Sequence, residues 1–211
     1  MSELISIIIP CYNSNKFVSR CLRSLQGQTL NKEYFRVIFV DDGSEDPIII
    51  NDDLYDFKLD YIRHEENLGL PNALNSALNH VNSRYFVRLD CDDYVHAKFL
   101  EILLLKFSLS PNTIAAATDY YLVDQLERII NYGNCSDDPI ACGIMFRMDL
   151  IDTIGLYNED MKMAEEIEFR KRVEEIGEIE RIAIPLYRYV RHEKNMTNNV
   201  AMYNLYKEKL S

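Results

Sequence analysis

Tryptophan is absent from this 211-residue chain, glycine and proline number only seven and six, and 23 basic residues face 34 acidic ones. So little glycine and proline, with 47% hydrophobic and 27% charged residues, excludes a low-complexity or disordered chain and fits one large folded domain. The formal net charge of −11 offers no basic face for counterion release, which argues against nucleic acid as a partner. Nucleotides stay open, because a bound cation offsets the repulsion between a phosphate and an acidic protein. No apolar run is long enough to span a bilayer and no charged leader precedes an apolar core, so the expectation is a cytoplasmic protein, peripheral to a membrane at most. The cysteines, Cys11, Cys21, Cys91, Cys135 and Cys142, are odd in number and lack paired metal-ligand spacing, and read as reduced thiols.

What is present centres on Tyr85-Phe86-Val87-Arg88-Leu89-Asp90-Cys91-Asp92-Asp93-Tyr94. A β-prone run entering three carboxylates reads as a buried strand ending at a polar rim, where open α/β sheets bind ligands. On extended chain Asp90 and Asp92 point to one side, which suits a hard divalent cation. An Asp-rich turn capping a helix near Tyr94 explains the same residues, and this stretch alone does not choose.

Around it the chain reads as βαβ units. Leu4 to Pro10 is a branched apolar strand that Pro10 stops; Ser14 caps a helix with the stripe Phe17, Val18, Cys21, Leu22 and Leu25; Phe35 to Val40 is a second strand, followed by Asp41-Asp42-Gly43-Ser44. Leu59 to Arg63 is a third strand, and Asn67-Leu68-Gly69 precedes a helix with Pro71 in its first turn. Beyond Ser110 the pattern changes to strands at Ile114 to Val123 and Arg128 to Asn131, an apolar strand at Pro139 to Phe146, and helices at Asp149 to Ile154 and Ala164 to Ile176. The last strand, Ile179 to Val190, is interrupted by Pro185, and Met202 to Leu210 reads as a short terminal helix. No linker divides the chain, so residues 1–211 are one domain, with a soft boundary between a nucleotide-type half, 1–109, and an acceptor-side half, 110–211.

Ile9-Pro10-Cys11-Tyr12-Asn13, Val40-Asp41-Asp42-Gly43-Ser44, Asn67-Leu68-Gly69-Leu70, Asp90-Cys91-Asp92-Asp93, Glu165-Glu166 and Arg191-His192, in that order, resemble the motifs of the family 2 glycosyltransferases. The resemblance implies the GT-A fold: a Rossmann-like nucleotide-binding half with a mostly parallel sheet and a smaller mixed region for the acceptor. It implies transfer of a sugar from a nucleotide diphosphate-sugar, a UDP-sugar foremost, to a saccharide or lipid-linked acceptor hydroxyl in surface polysaccharide or glycolipid assembly, with inversion. Pro10, Tyr12, Asp41, Asn67, Gly69, Asp90 and Asp92 would then hold the donor, and Asp92 with His192 would hold Mn²⁺ or Mg²⁺. Two departures stand out. Leu74 replaces an arginine found in many members, and the catalytic-base position holds Glu166 where the family commonly has aspartate. That second change keeps an alternative open, a nucleotide-sugar-binding protein of the same fold without turnover. Helix geometry places Glu165 and Glu166 equally close to the apolar stripe, on opposite sides, and does not choose between them.

Overall fold

The structure, a computed structural model, describes residues 3–161, 163–193, 195 and 198. The expected terminal helix at Met202 to Leu210 lies outside the described residues. β1 (Ile5–Cys11) and β2 (Phe35–Asp41) are buried along their whole length, as their unbroken apolar character demands of strands covered on both faces. β3 (Lys58–Arg63) pairs in parallel with β2, β2 with β1, and β1 with β4 (Tyr85–Arg88). Pro10 does not end β1, contrary to the sequence expectation: pairing with β2 continues to Cys11↔Asp41, whereas pairing with β4 stops at Ile8↔Arg88. The Ile8 carbonyl accepts from Leu89, so residues 8 and 10 turn their backbone polar groups toward the β4 side, where no donor is needed beyond Ile8.

Three further pieces complete the nine-stranded sheet. β5 (Tyr94–Val95) is very short, β6 (Ala115–Val123) and β7 (Ile129–Gly133) form a hairpin, and β8 (Ile144–Arg147) and β9 (Ile179–Val190) run through the second half. The order is β3-β2-β1-β4-β8-β6-β9-β5, with β7 paired to β6. β4–β8, β8–β6, β6–β7 and β5–β9 are antiparallel, while β6–β9 is parallel, so a parallel half continues into a mixed half. Pro185 leaves its mark as a register shift between β6 and β9 around Asp119.

Helices cover both faces. α1 (Asn15–Gln26) and α3 (Phe99–Leu109) pack Val18, Leu22, Leu25, Leu100 and Leu103 against Ile7, Ile9 and Val87. On the other face α2 (Leu70–Leu78) and α5 (Glu165–Glu174) pack Leu74, Leu78, Phe169 and Val173 against Ile8, Ile38 and Phe86. α4 (Ile151–Ile154) is a single turn after a short 3₁₀ segment. Ser14 occupies the N-cap of α1 by position, but its hydroxyl donates back to the Tyr12 carbonyl, so the cap is made by backbone alone. The strand order reverses beside β1, and the C-terminal ends of β1, β2 and β4 therefore open onto one crevice.

Candidate active site

At the end of β2, Asp41 and Asp42 organise the crevice wall. The Asp41 carboxylate is buried and accepts from Ser44 N (2.9 Å), Ile48 N (3.3 Å), Tyr61 Oη (2.9 Å) and the Arg63 guanidinium. Burial opposes its ionisation, but the bonds from Ser44, Tyr61 and Ile48 outweigh burial and hold its pKa below the usual value. Asp42 accepts from Leu68 N at 3.0 Å and Gly69 N at 2.9 Å, and its Oδ1 lies 2.6 Å from His64 Nδ1. Gly69 is the N-cap of α2, so the Asp42 carboxylate supplies negative charge at this helix start. Asn67 is exposed beside it, and Tyr12 presents its ring at 44% exposure at the end of β1.

The acidic stretch is a turn, not the extended chain its spacing suggested. Asp93 N donates to the Asp90 carbonyl at 3.0 Å, and the three carboxylates go to three different partners. Asp90 takes Nε (2.8 Å) and Nη2 (3.3 Å) of Arg88 in a two-pronged pair. Asp92 Oδ2 lies 2.7 Å from His192 Nε2 and 3.4 Å from Asn195 Nδ2, while the ring of His192 meets Phe17 at a tilt, 4.6 Å between centroids. Asp93 is buried and accepts from Tyr187 Oη (2.7 Å), Val190 N (2.8 Å) and the Cys142 thiol (3.7 Å). Burial, with the charges of Asp92 and Asp90 nearby, pushes the Asp93 pKa well up. Because Val190 lies two residues before His192, Asp93 ties the end of β9 to the turn and so brings His192 to Asp92 across 100 residues.

Arg88 is the residue that sequence reading passed over. It is 3% exposed, and its Nη1 donates to Glu165 Oε1 at 2.9 Å while its other nitrogens hold Asp90. Burial alone would lower its pKa, but the Asp90 and Glu165 charges more than reverse that. The one available signal was a charge inside the otherwise apolar run Tyr85 to Leu89, since a buried guanidinium demands partners. Glu165 is 3% exposed, and its Oε1 makes this pair. Glu166, by contrast, is partly exposed and lines a small cavity with Tyr157, Phe169, Arg170, Ile140 and Ile144. All five cysteines are free, as expected, and all are buried.

Asp92 and His192 suit a divalent cation. The Asp92 carboxylate oxygen and the His192 imidazole nitrogen are hydrogen-bonded to each other at 2.7 Å, and such a mixed oxygen and nitrogen pair would favour Mn²⁺ over Mg²⁺, which prefers oxygen throughout. Asp90, Asp93 and Cys142 also approach one another, but Asp90 and Asp93 are already engaged by Arg88, Tyr187 and Val190. Among the described residues no helix is long and apolar enough to cross a membrane.

The chain is 29% identical over 177 residues to the teichoic acid poly(glycerol phosphate) polymerase of Staphylococcus epidermidis, covering 74% of this chain and 24% of that protein, so it spans about a quarter of the relative's length. The fold matches S. aureus TarS 1-349 in complex with UDP-GlcNAc at a TM-score of 0.76, with 21% identity over 93% of this chain and 61% of that one. It matches the mannosyltransferase PcManGT from Pyrobaculum calidifontis, in complex with GDP-Man and Mn2+, at 0.68, with 17% identity over 92% and 59% of the two chains. The pattern of "Glycosyl transferase family 2" covers residues 6–154, from β1 through the acidic turn to α4, and with the GT-A sheet in place this chain belongs to that family of glycosyltransferases.

Proposed function

We propose that the chain moves a hexose from a nucleotide diphosphate-sugar, UDP-linked foremost, to an acceptor hydroxyl of a surface polysaccharide or glycolipid, inverting the anomeric carbon with the help of Mn²⁺. The observation that carries this reading is the pairing of Asp92 with His192 beside the Arg88–Asp90 bridge, at the mouth of the β1 and β4 strands. The UDP-GlcNAc complex of TarS and the Mn2+ complex of PcManGT support the donor class and the cation.

In this reading residues 1–109 form the donor half. Tyr12 offers its ring to the base, and Asp41, buried and held by Ser44 N and Arg63, backs the base pocket behind Pro10. Asn67 and Gly69, held in place by Asp42, form the opposite lip, and Asp90 faces the ribose with its second oxygen fixed by Arg88. Asp92 and His192 would hold the cation, which when bound offsets the charge growing on the departing diphosphate. Residues 110–211 supply the acceptor half and the base. Glu166 takes the acceptor hydroxyl proton as that oxygen bonds to the anomeric carbon and the bond to the diphosphate breaks on the opposite face. Its longer side chain, relative to the aspartate common in the family, starts from a helix that the Glu165–Arg88 pair anchors.

Calorimetric titration of UDP and GDP with and without Mn²⁺, followed by a product assay with the preferred donor sugar, tests the proposal. Metal-dependent binding with transfer or donor hydrolysis is expected. Binding without any turnover would assign the chain to nucleotide-sugar binding, and binding unaffected by chelator would remove the cation from the mechanism.

A further inference from the structure

We propose that a row of alternating arginines and tyrosines, leading from the acidic turn across the mixed half of the sheet, is a binding track for an anionic polyhydroxy chain, one carrying recurrent phosphate or carboxylate groups. Naming that chain the acceptor rests on the reaction proposed above; its binding does not. Tyr94 of β5 lies opposite Arg188 of β9, Arg188 opposite Tyr121 of β6, and Tyr121 opposite Tyr132 of β7. Directly opposed residues share a face of a sheet. Their chain neighbours Val95, Tyr187 and Tyr120 take the other face and are buried in the core.

The contacts along the row are continuous. Arg20, from α1, stands 5.0 Å over the Tyr94 ring and donates to the Asp92 carbonyl at 2.9 Å, so the row begins at the turn that carries Asp92. The Arg188 guanidinium lies 4.9 Å from the Tyr121 ring, and Tyr121 meets Tyr132 edge-on at 6.1 Å. Tyr132 closes the row at 45% exposure.

Charge makes this row unusual. In a chain with net charge −11, the buried or half-buried Arg36, Arg63, Arg88 and Arg181 each meet a carboxylate. Among the described residues Arg20 and Arg188 do not. Arg188 donates to the carbonyls of Pro185 (2.7 Å) and Tyr187 (3.2 Å), and Arg20 Nε is buried without a partner. Burial lowers the Arg188 pKa, only partly offset by the phenols of Tyr94 and Tyr121. Half-buried cations lacking a counter-charge are costly unless an anion arrives with the ligand. Asp124 and Glu127 of the β6–β7 turn border the row near Tyr94, and Asp124 is already paired with Arg128 at 2.7 Å. A guanidinium binds phosphate or carboxylate oxygens in a fork, and a tyrosine ring covers the C–H face of a sugar or polyol. Alternation of the two from Arg20 to Tyr121 matches a chain in which charged and hydroxylated units alternate.

The test is fluorescence anisotropy of the full chain, without nucleotide, against labelled oligomers of poly(glycerol phosphate), hyaluronan and neutral dextran. At least one charged oligomer binds, dextran does not, and added salt weakens the complex. Which charged oligomer binds tells phosphate from carboxylate recognition. Arg188→Gln weakens binding about tenfold, the scale of one hydrogen bond to a charged group, and Tyr121→Leu weakens it too, while both keep wild-type affinity for UDP with Mn²⁺. Dextran binding as tightly as the charged oligomers, no oligomer binding, or unchanged affinity in both variants would each overturn the track. Loss of UDP binding in the wild-type chain with oligomer binding intact would instead remove the donor reading and leave the track standing.

Discussion

Glu165 and Glu166 are chemically identical neighbours at the start of α5, and burial sets them apart. Glu165 is sealed against Arg88, so its charge serves the fold and the placement of Asp90. Glu165→Gln keeps an acceptor but removes the charge, and is expected to lower stability by about 1.5–3 kcal/mol, as loss of a charged hydrogen bond does; urea unfolding measures it. Glu166→Gln should leave stability nearly untouched and slow sugar transfer by roughly 10²–10⁴, the usual contribution of a general base. If initial-rate assays show the reverse pattern, the base belongs to Glu165 and the assignment moves by one residue. Asp92→Asn removes a charged ligand while the side chain keeps its shape. Nucleotide diphosphate affinity in Mn²⁺ should then fall to the value that wild type shows with chelator, and a calorimetric result unchanged from wild type would contradict the cation site.

Loops between elements carry the wall proposed for the donor, and two glycines there make different demands. Gly43 has φ +69, and a Cβ on it would sit 2.3 Å from the Glu66 carbonyl carbon and 2.6 Å from Asn67 N. Gly69 has φ +95 with nothing within 4 Å of such a Cβ. Gly69→Ala therefore carries backbone strain alone, about 1–3 kcal/mol. Gly43→Ala adds a clash with the backbone of the Asn67 loop and should cost more in urea unfolding, with weaker UDP binding as a second effect. Equal costs would mean that the loop yields freely. At this scale the first four strands and the apolar stripes of α1 and α2 were legible in the chain, because each depends on residues within one or two turns, whereas the strand expected at Pro139 to Phe146 is only Ile144–Arg147. The run from Tyr94 was not: β5 is two residues long, the helix begins at Phe99, and only the pairing of Tyr94 and Val95 with β9 makes a strand there.

For the molecule as a whole, buried carboxylates set the acid limit. Asp119, on β6, binds the Arg181 guanidinium of β9 at 2.9 and 2.7 Å, the Tyr132 hydroxyl of β7 and Cys135 N at 3.0 Å. Burial opposes its ionisation, yet these donors win and its pKa falls well below the usual carboxylate value, as does that of Asp41 to a lesser degree. A depressed carboxylate contributes stability that is complete above the unfolded-state pKa of about 3.9 and is lost as pH falls through the folded value. Unfolding free energy should therefore decline steadily below about pH 4, and Asp119→Asn should lower stability at pH 7 while flattening that decline; a variant with the wild-type acid slope would rule Asp119 out. The sequence alone determined the α/β class, the positions of the first four strands along the chain and the family, since periodicity and short motifs are local properties of a chain. It also marked Asp92 and His192 as candidates, though not their meeting. Tertiary structure decided which charges face each other: Arg88 with Glu165 across 77 residues, Asp92 with His192 across 100, Asp119 with Arg181 across 62, and Arg188 with no carboxylate among the described residues. Burial and sheet register select those partners, and neither is written in the local pattern of the chain.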